Sequence, residues 1–136
     1  SDMARTFVLG PQTENQRKLI ELYIRARREA VNVVKPGVMV SELDNSANRV
    51  VSEAGYGEYY VRGISHGVGL AFEETPFPTI FPEDSIIELR ENMTISIGHS
   101  ILSIPGIGGV RVEDVYLVTD KGAELLVKYD EELIEV

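Results

Sequence analysis

The sequence predicts an α+β fold with a mainly antiparallel sheet. Three observations carry this: a short strand-like run precedes two amphipathic helical stretches, several strand-like runs follow with no helix between them, and Gly or Pro marks the changes at residues 10–11, 36–37 and 55. A chain of 136 residues suits one domain, expected to span 1–136. At that length it buries roughly two-thirds of its unfolded surface, enough for a single core.

The first strand is expected over residues 3–9, where Thr6-Phe7-Val8-Leu9 is apolar and β-prone and Gly10-Pro11 ends it. A helix follows. Thr13 with Gln16 three positions on forms a capping box, and Leu19, Ile20, Leu22, Tyr23, Ala26, Ala30 and Val34 make an apolar stripe at helical spacing until Lys35-Pro36-Gly37 stops it. Ser41 with Asp44 is the start signal of a second helix through Leu43, Ala47, Val50 and Val51, with Gly55 as its C-terminal cap. The period then changes. Strands are expected at Tyr59-Tyr60-Val61, at residues 68–72, at residues 93–97 and at residues 110–118; Asp120-Lys121-Gly122 turns the chain into a last strand over residues 124–127.

Composition narrows the function classes. A net charge of −9 with no cluster of Lys and Arg lacks the footprint of a nucleic-acid binder. The absence of cysteine removes disulfides and thiolate metal sites. No apolar run approaches about 18 residues and no basic-then-apolar leader opens the chain, so the expectation is a soluble cytoplasmic protein with no membrane or nucleic-acid partner. The chain opens Ser1-Asp2-Met3 without an initiator Met, which is expected of a piece of something longer.

Two histidines, His66 and His99, each lie among small or polar residues near a strand. In Ser65-His66-Gly67-Val68-Gly69-Leu70 the glycines admit close approach to the imidazole, although a lone His beside Gly is more often structural. Strand alternation puts Arg111 and Glu113 on one face and Val110, Val112 and Asp114 on the other, which suits either one shared site or a solvated surface pair. In the preceding strand it groups Thr94, Ser96 and Gly98 on one face, and Met93, Ile95, Ile97 and His99 on the other.

Five segments then fall in a known order. Ser1-Asp2-Met3-Ala4-Arg5-Thr6, Ser65-His66-Gly67-Val68-Gly69-Leu70, Glu73-Glu74-Thr75-Pro76, Asn92-Met93 and Gly109-Val110-Arg111-Val112-Glu113-Asp114 together resemble the aminopeptidase P and prolidase signature of the pita-bread metallopeptidases. The resemblance implies the C-terminal part of a pita-bread catalytic domain, with its upstream part missing and a curved, mainly antiparallel sheet carrying two helices on one face. It also implies two divalent ions (Mn, Co, Zn or Fe) held by two Asp, one His and two Glu, and attack of an activated water on a peptide bond. Carboxylate and imidazole suit such ions.

Carried over residue by residue, Asp2, His66 and Glu113 match metal ligands. His66, Glu74 and Arg111 match catalytic positions, with Arg111 fixing a carboxylate. The first aspartate of the set would lie upstream of Ser1. Where the family has Glu after Thr-Ile, the sequence reads Ser96-Ile97-Gly98-His99; Gly98 is taken as the vacant ligand position, so that Gly98→Glu would raise metal affinity. His99 could stand in only if a bulge turned it to the inner face. Arg62 and Glu73 replace two substrate histidines, placing new charges in the pocket. These departures imply weak, single or absent metal and poor cleavage of proline dipeptides by this chain.

Three functions follow from the resemblance: a metal-dependent hydrolase of a small peptide or amide, a metal-free creatinase-like amidohydrolase working by acid–base chemistry, or a non-catalytic peptide- or protein-binding pseudoenzyme. A homo-oligomer, or a partner that completes the sheet edge near Ser1, is also expected.

Overall fold

The computed structural model describes residues 2–131 and 134–136. Strand β1 (Phe7–Val8) leads into helix α1 (Glu14–Asn32) and helix α2 (Val40–Glu53), and seven further strands follow: β2 (Tyr60–Val61), β3 (Ser65–Gly67), β4 (Thr94–Ile97), β5 (Ile101–Ile104), β6 (Gly108–Val110), β7 (Asp114–Thr119) and β8 (Gly122–Leu125). A last strand, β9 (Ile134–Glu135), returns to β1. The α+β expectation holds. The principal sheet is antiparallel in the order β3-β4-β7-β8, a second antiparallel sheet runs β2-β5-β6, and β1 and β9 form a parallel pair.

Helix α1 forms as its sequence requires. Thr13 accepts from the Gln16 amide and the Gln16 side chain accepts from the Thr13 amide, so two N–H groups that the helix cannot use are satisfied. Its stripe of Leu19, Ile20, Leu22, Tyr23, Ala26 and Ala30 is buried against α2 and the principal sheet. Helix α2 starts earlier than its sequence suggests. Met39 is the cap, without a side-chain bond, and Ser41 lies inside the first turn; the amide of Val40 instead reaches the Ile87 carbonyl. Asp44 is spent elsewhere, accepting from the Gly63 amide at 2.8 Å. Gly55, at φ 84°, closes the helix as expected.

The strand pattern needs four corrections. The run at residues 3–9 contributes only β1 and an isolated bridge between Ala4 and Glu113. The run at 68–72 is a loop rather than a strand: β3 lies just before it, and Leu70 and Phe72 stand exposed. An unbroken strand over 110–118 is in fact two, β6 and β7, and residues 111–113 carry the chain from the second sheet into the principal one. The strand expected over residues 124–127 runs Gly122–Leu125, two residues earlier, and it is followed by β9, which was not expected. Strand β5, whose residues alternate exposed and buried, had no counterpart among the expected elements.

Among the described residues, no helix is long and apolar enough to cross a membrane.

A candidate metal centre at the sheet junction

The site is built on one face of the principal sheet. His66 pairs in register with Ser96 on β4, so both side chains leave the sheet on the same side, while Ile95 and Ile97 point into the core. Glu113 reaches that face from the link between β6 and β7. The N-terminal segment is laid along this link: Ala4 and Glu113 exchange backbone hydrogen bonds of 3.0 and 3.1 Å, and Thr6 Oγ1 bonds both the amide and the carbonyl of Arg111. Arg5 fastens it further, donating to the Glu113 carbonyl and to Asp114. Asp2 is thereby delivered to the side chains of His66 and Glu113.

Three of the ligand residues carried over by resemblance meet. His66 Nε2 lies 3.0 Å from Asp2 Oδ2 and 3.4 Å from Glu113 Oε1. Neither approach has hydrogen-bond geometry, and Nε2 and Oδ2 are buried polar atoms without a partner among the described residues. His66 Nδ1 stands 2.9 Å from the Gly67 carbonyl, which can only accept. The proton therefore belongs on Nδ1, and the Nε2 lone pair faces carboxylates. Such an arrangement calls for a cation between the atoms. Two ligands at about 2.1 Å on a tetrahedral ion stand about 3.4 Å apart, so the observed spacings fit a metal.

Charge is unevenly balanced around this centre. Burial and Glu113 raise the Asp2 carboxyl, against His66 and Arg111, which lower it. Burial would raise Glu113 too, but His66, Ser96 and Arg111 pull it down to about 2. Ser96 Oγ donates to Glu113 Oε1 at 2.7 Å and Arg111 Nε to Oε2 at 2.9 Å, with Arg111 Nη2 also on Oε2. The face shared by Arg111 and Glu113 thus carries an ion pair in which two guanidinium nitrogens donate to one oxygen, Oε2. For His66, burial lowers the pKa, but Glu113, the Gly67 carbonyl and Asp2 outweigh it and the net direction is upward. His99 goes the other way, lowered by burial and by Arg111.

Two positions differ from expectation. Gly98, the expected vacant ligand position, has no room for a side chain on this backbone: a Cβ there would meet the Val112 carbonyl oxygen at 1.9 Å and the Glu113 Cα at 2.6 Å, at a φ of 125°. Two residues earlier, the Ser96 side chain faces Glu113. His99 also departs from simple alternation. The amides of Gly98 and His99 both donate to the Ile64 carbonyl, at 2.7 and 3.0 Å, so two residues oppose one and the strand bulges. The bulge turns the His99 ring edge-on to His66, with centroids 4.9 Å apart, and Phe77 packs on both rings.

The remaining candidates lie at the margin. Glu74 Oε2 accepts from the Ala71 amide at 3.0 Å and closes the loop at 68–72; it bonds none of the three donors. Arg62 turns away, pairing with Asp44 and Asn45 on α2, so only Glu73 of the two replaced histidine positions brings a charge near the centre. Sequence reasoning missed Ser96 as an inward residue at this centre and the pairing of Glu73 with His99.

Comparison with known proteins agrees with this geometry. The profile described as Metallopeptidase family M24 matches residues 1–120. The chain is 42% identical over 134 residues to the Xaa-Pro dipeptidase of Pyrococcus furiosus, covering 98% of this chain and 37% of that protein. It is 38% identical over 122 residues to the Xaa-Pro dipeptidase of Lactobacillus delbrueckii subsp. lactis, covering 90% and 32%. The crystal structure of the dipeptidase of Pyrococcus horikoshii OT3 superposes with a TM-score of 0.88 at 36% identity, over 99% of this chain and 37% of that one. The chain therefore spans about a third of the length of these relatives. With the matched profile, the shared pita-bread architecture and the meeting of Asp2, His66 and Glu113 all in agreement, the chain belongs to metallopeptidase family M24.

Proposed function

We propose that the chain is the metal-binding portion of a prolidase-like, metal-dependent hydrolase with a reduced ligand set, acting on a small peptide. The observation that carries this reading is the pair of buried, unpartnered atoms, Asp2 Oδ2 and His66 Nε2, facing each other beside Glu113 at metal-ligand spacing. The Xaa-Pro dipeptidases among its relatives supply the substrate class.

Asp2, His66 and Glu113 would hold a divalent ion, which supplies Lewis acidity toward a carbonyl and its attacking water. The chain's own residues do the rest. The Gly67 carbonyl fixes the His66 tautomer. Arg111 commits Nε and Nη2 to Glu113, leaving Nη1 at a partly exposed edge to take a substrate carboxylate. Glu74 holds the loop through Ala71, and a proton-carrying role requires it to release that amide. The metal-free reading also has an observation in its favour, since both oxygens of Glu113 are already engaged by Ser96 and Arg111.

Metal content after dialysis, measured by mass spectrometry alongside Xaa-Pro dipeptide cleavage in added Mn or Co, tests the proposal. We expect sub-stoichiometric metal and slow or undetectable cleavage for the chain, with Ser96→Glu raising metal affinity roughly tenfold or more by returning a carboxylate to the ion. If neither the chain nor Ser96→Glu retains or binds a divalent ion above a denatured control, the metal-dependent reading is wrong.

A further inference from the structure

A second set of donors adjoins the first. The ligand atoms of His66, Glu73 and His99 lie within 4.8 Å of one another, as do those of Asp2, His66 and Glu113, and His66 belongs to both groups. His99 Nε2 is 3.5 Å from Glu73 Oε1, matching the separation of about 3.4 Å between two ligands on one tetrahedral ion. The independent pointer to a ligand is His66, whose side chain is wholly buried and whose Nε2 has no partner.

Local structure explains why these three meet. His66 is the middle residue of β3, and the next residue, Gly67, exchanges two backbone hydrogen bonds of 3.0 Å with Glu74, bringing Glu73 back beside the imidazole. Gly67 permits that return, because a Cβ there would strike the Thr75 carbonyl oxygen at 2.4 Å. The bulge at Gly98 supplies His99 from the other side, and the Phe77 ring, about 5 Å from both imidazoles, walls the group with apolar surface.

The electrostatic balance favours this group over the first. Glu113 is already neutralised by Arg111 and bonded by Ser96, so a dication gains little from it. Glu73 has no arginine or lysine at ion-pair distance among the described residues, and His99 is its partner. Resting on the metal dependence proposed above but moving the ion off the Asp2 group, we infer that this chain holds its divalent ion through His66, His99 and Glu73, a two-histidine, one-carboxylate set. Such donors favour Zn or Co over Mn, because imidazole suits the later ions and carboxylate alone suits the earlier ones.

The test uses the 136-residue chain with Zn, Co and Mn as separate probes. Affinities are read by competition with a chromophoric chelator, coordination by the visible absorption of the Co form, and ligand identity by long-range proton–nitrogen spectra of the imidazoles. Tighter Zn and Co than Mn is expected, with His99 ring nitrogens shifting on Zn addition and His99→Ala and Glu73→Gln each weakening Zn by at least about tenfold. The shift in the unmodified chain guards against a variant that merely misfolds. Zn binding that leaves the His99 nitrogens unmoved, with His99→Ala within twofold of the parent chain and Asp2→Asn abolishing binding, puts the ion in the Asp2 group; this overturns the inference and leaves the proposed function standing. No binding of any of the three ions overturns both.

Discussion

Gly98 and its neighbours decide what the site can be. Any Cβ at this position presses on the backbone of residues 112–113, which carries Glu113, and a φ of 125° is strained for every other residue. Gly98→Ala should therefore cost more than about 2 kcal/mol of stability, read as a lowered midpoint in urea at unchanged slope. An unchanged midpoint would mean that the backbone at 98 is free to move and can take a side chain, and the case for adding a carboxylate at Ser96 rather than at Gly98 would weaken. Asp2, His66, Glu113 and Arg111 were legible because each sits in a short segment of recognisable spacing. His99 was not, since one inserted residue in a strand reverses the side chains after it, and sequence alternation carries no sign of where that residue falls. Ser96, before the bulge, kept the face alternation gave it, but nothing local in sequence tells that this face meets Glu113.

At the scale of elements, helix α1 and strand β4 hold the bulge between them. The Tyr23 hydroxyl lies 2.6 Å from the carbonyls of both Gly98 and Ser100, reaching out of α1 to pin the turn that delivers His99. Burial pushes this phenol up to about 12 from its ordinary value of 10.0, because an anion there would be desolvated and would face carbonyls. The folded pKa is raised, so its contribution to stability is complete below pH about 10 and is lost as pH rises through about 12, a window worth up to about 3 kcal/mol. Unfolding followed across pH 9 to about 12 should show Tyr23→Phe less alkali-sensitive than the parent chain; parallel curves would mean that Tyr23 ionises freely in the fold.

The same element boundaries show what sequence could carry. Both helices were legible through their apolar stripes, and the start of α1 through its capping box, because these are local signals; the start of α2 was not, since Met39 caps it without a side-chain bond. Strand β5 and the split of residues 110–118 were not, because they depend on which sheet the neighbouring chain joins, and pairing partners lie far away in sequence.

For the whole molecule, the chain passes between the two antiparallel sheets at residues 62–64, 98–100 and 111–113, and the site stands beside these crossings. A ligand that bridges side chains from β3, the link and the N-terminal segment ties these parts of the fold together, and it exists only when they are assembled. Divalent metal should therefore raise the unfolding temperature in proportion to the logarithm of its concentration, by the equivalent of about 2.7 kcal/mol at a hundred times Kd, and EDTA should reverse the shift. A Tm independent of Zn across that range would show that no ion couples to folding here.

Residues 2–6 close a ring. The contacts that anchor them, from Arg5 to Glu113 and Asp114, join positions 108 and 109 residues apart. Loop-closure entropy makes such contacts among the last that a chain of this length gains, after local helices and hairpins have reduced the search. The donor carried by Asp2 thus rests on the longest closure at this centre, whereas Glu113 is compensated by Arg111 only two residues away. The orphaned pair of Asp2 and His66 is complete only when residues 2–6 lie along residues 111–114.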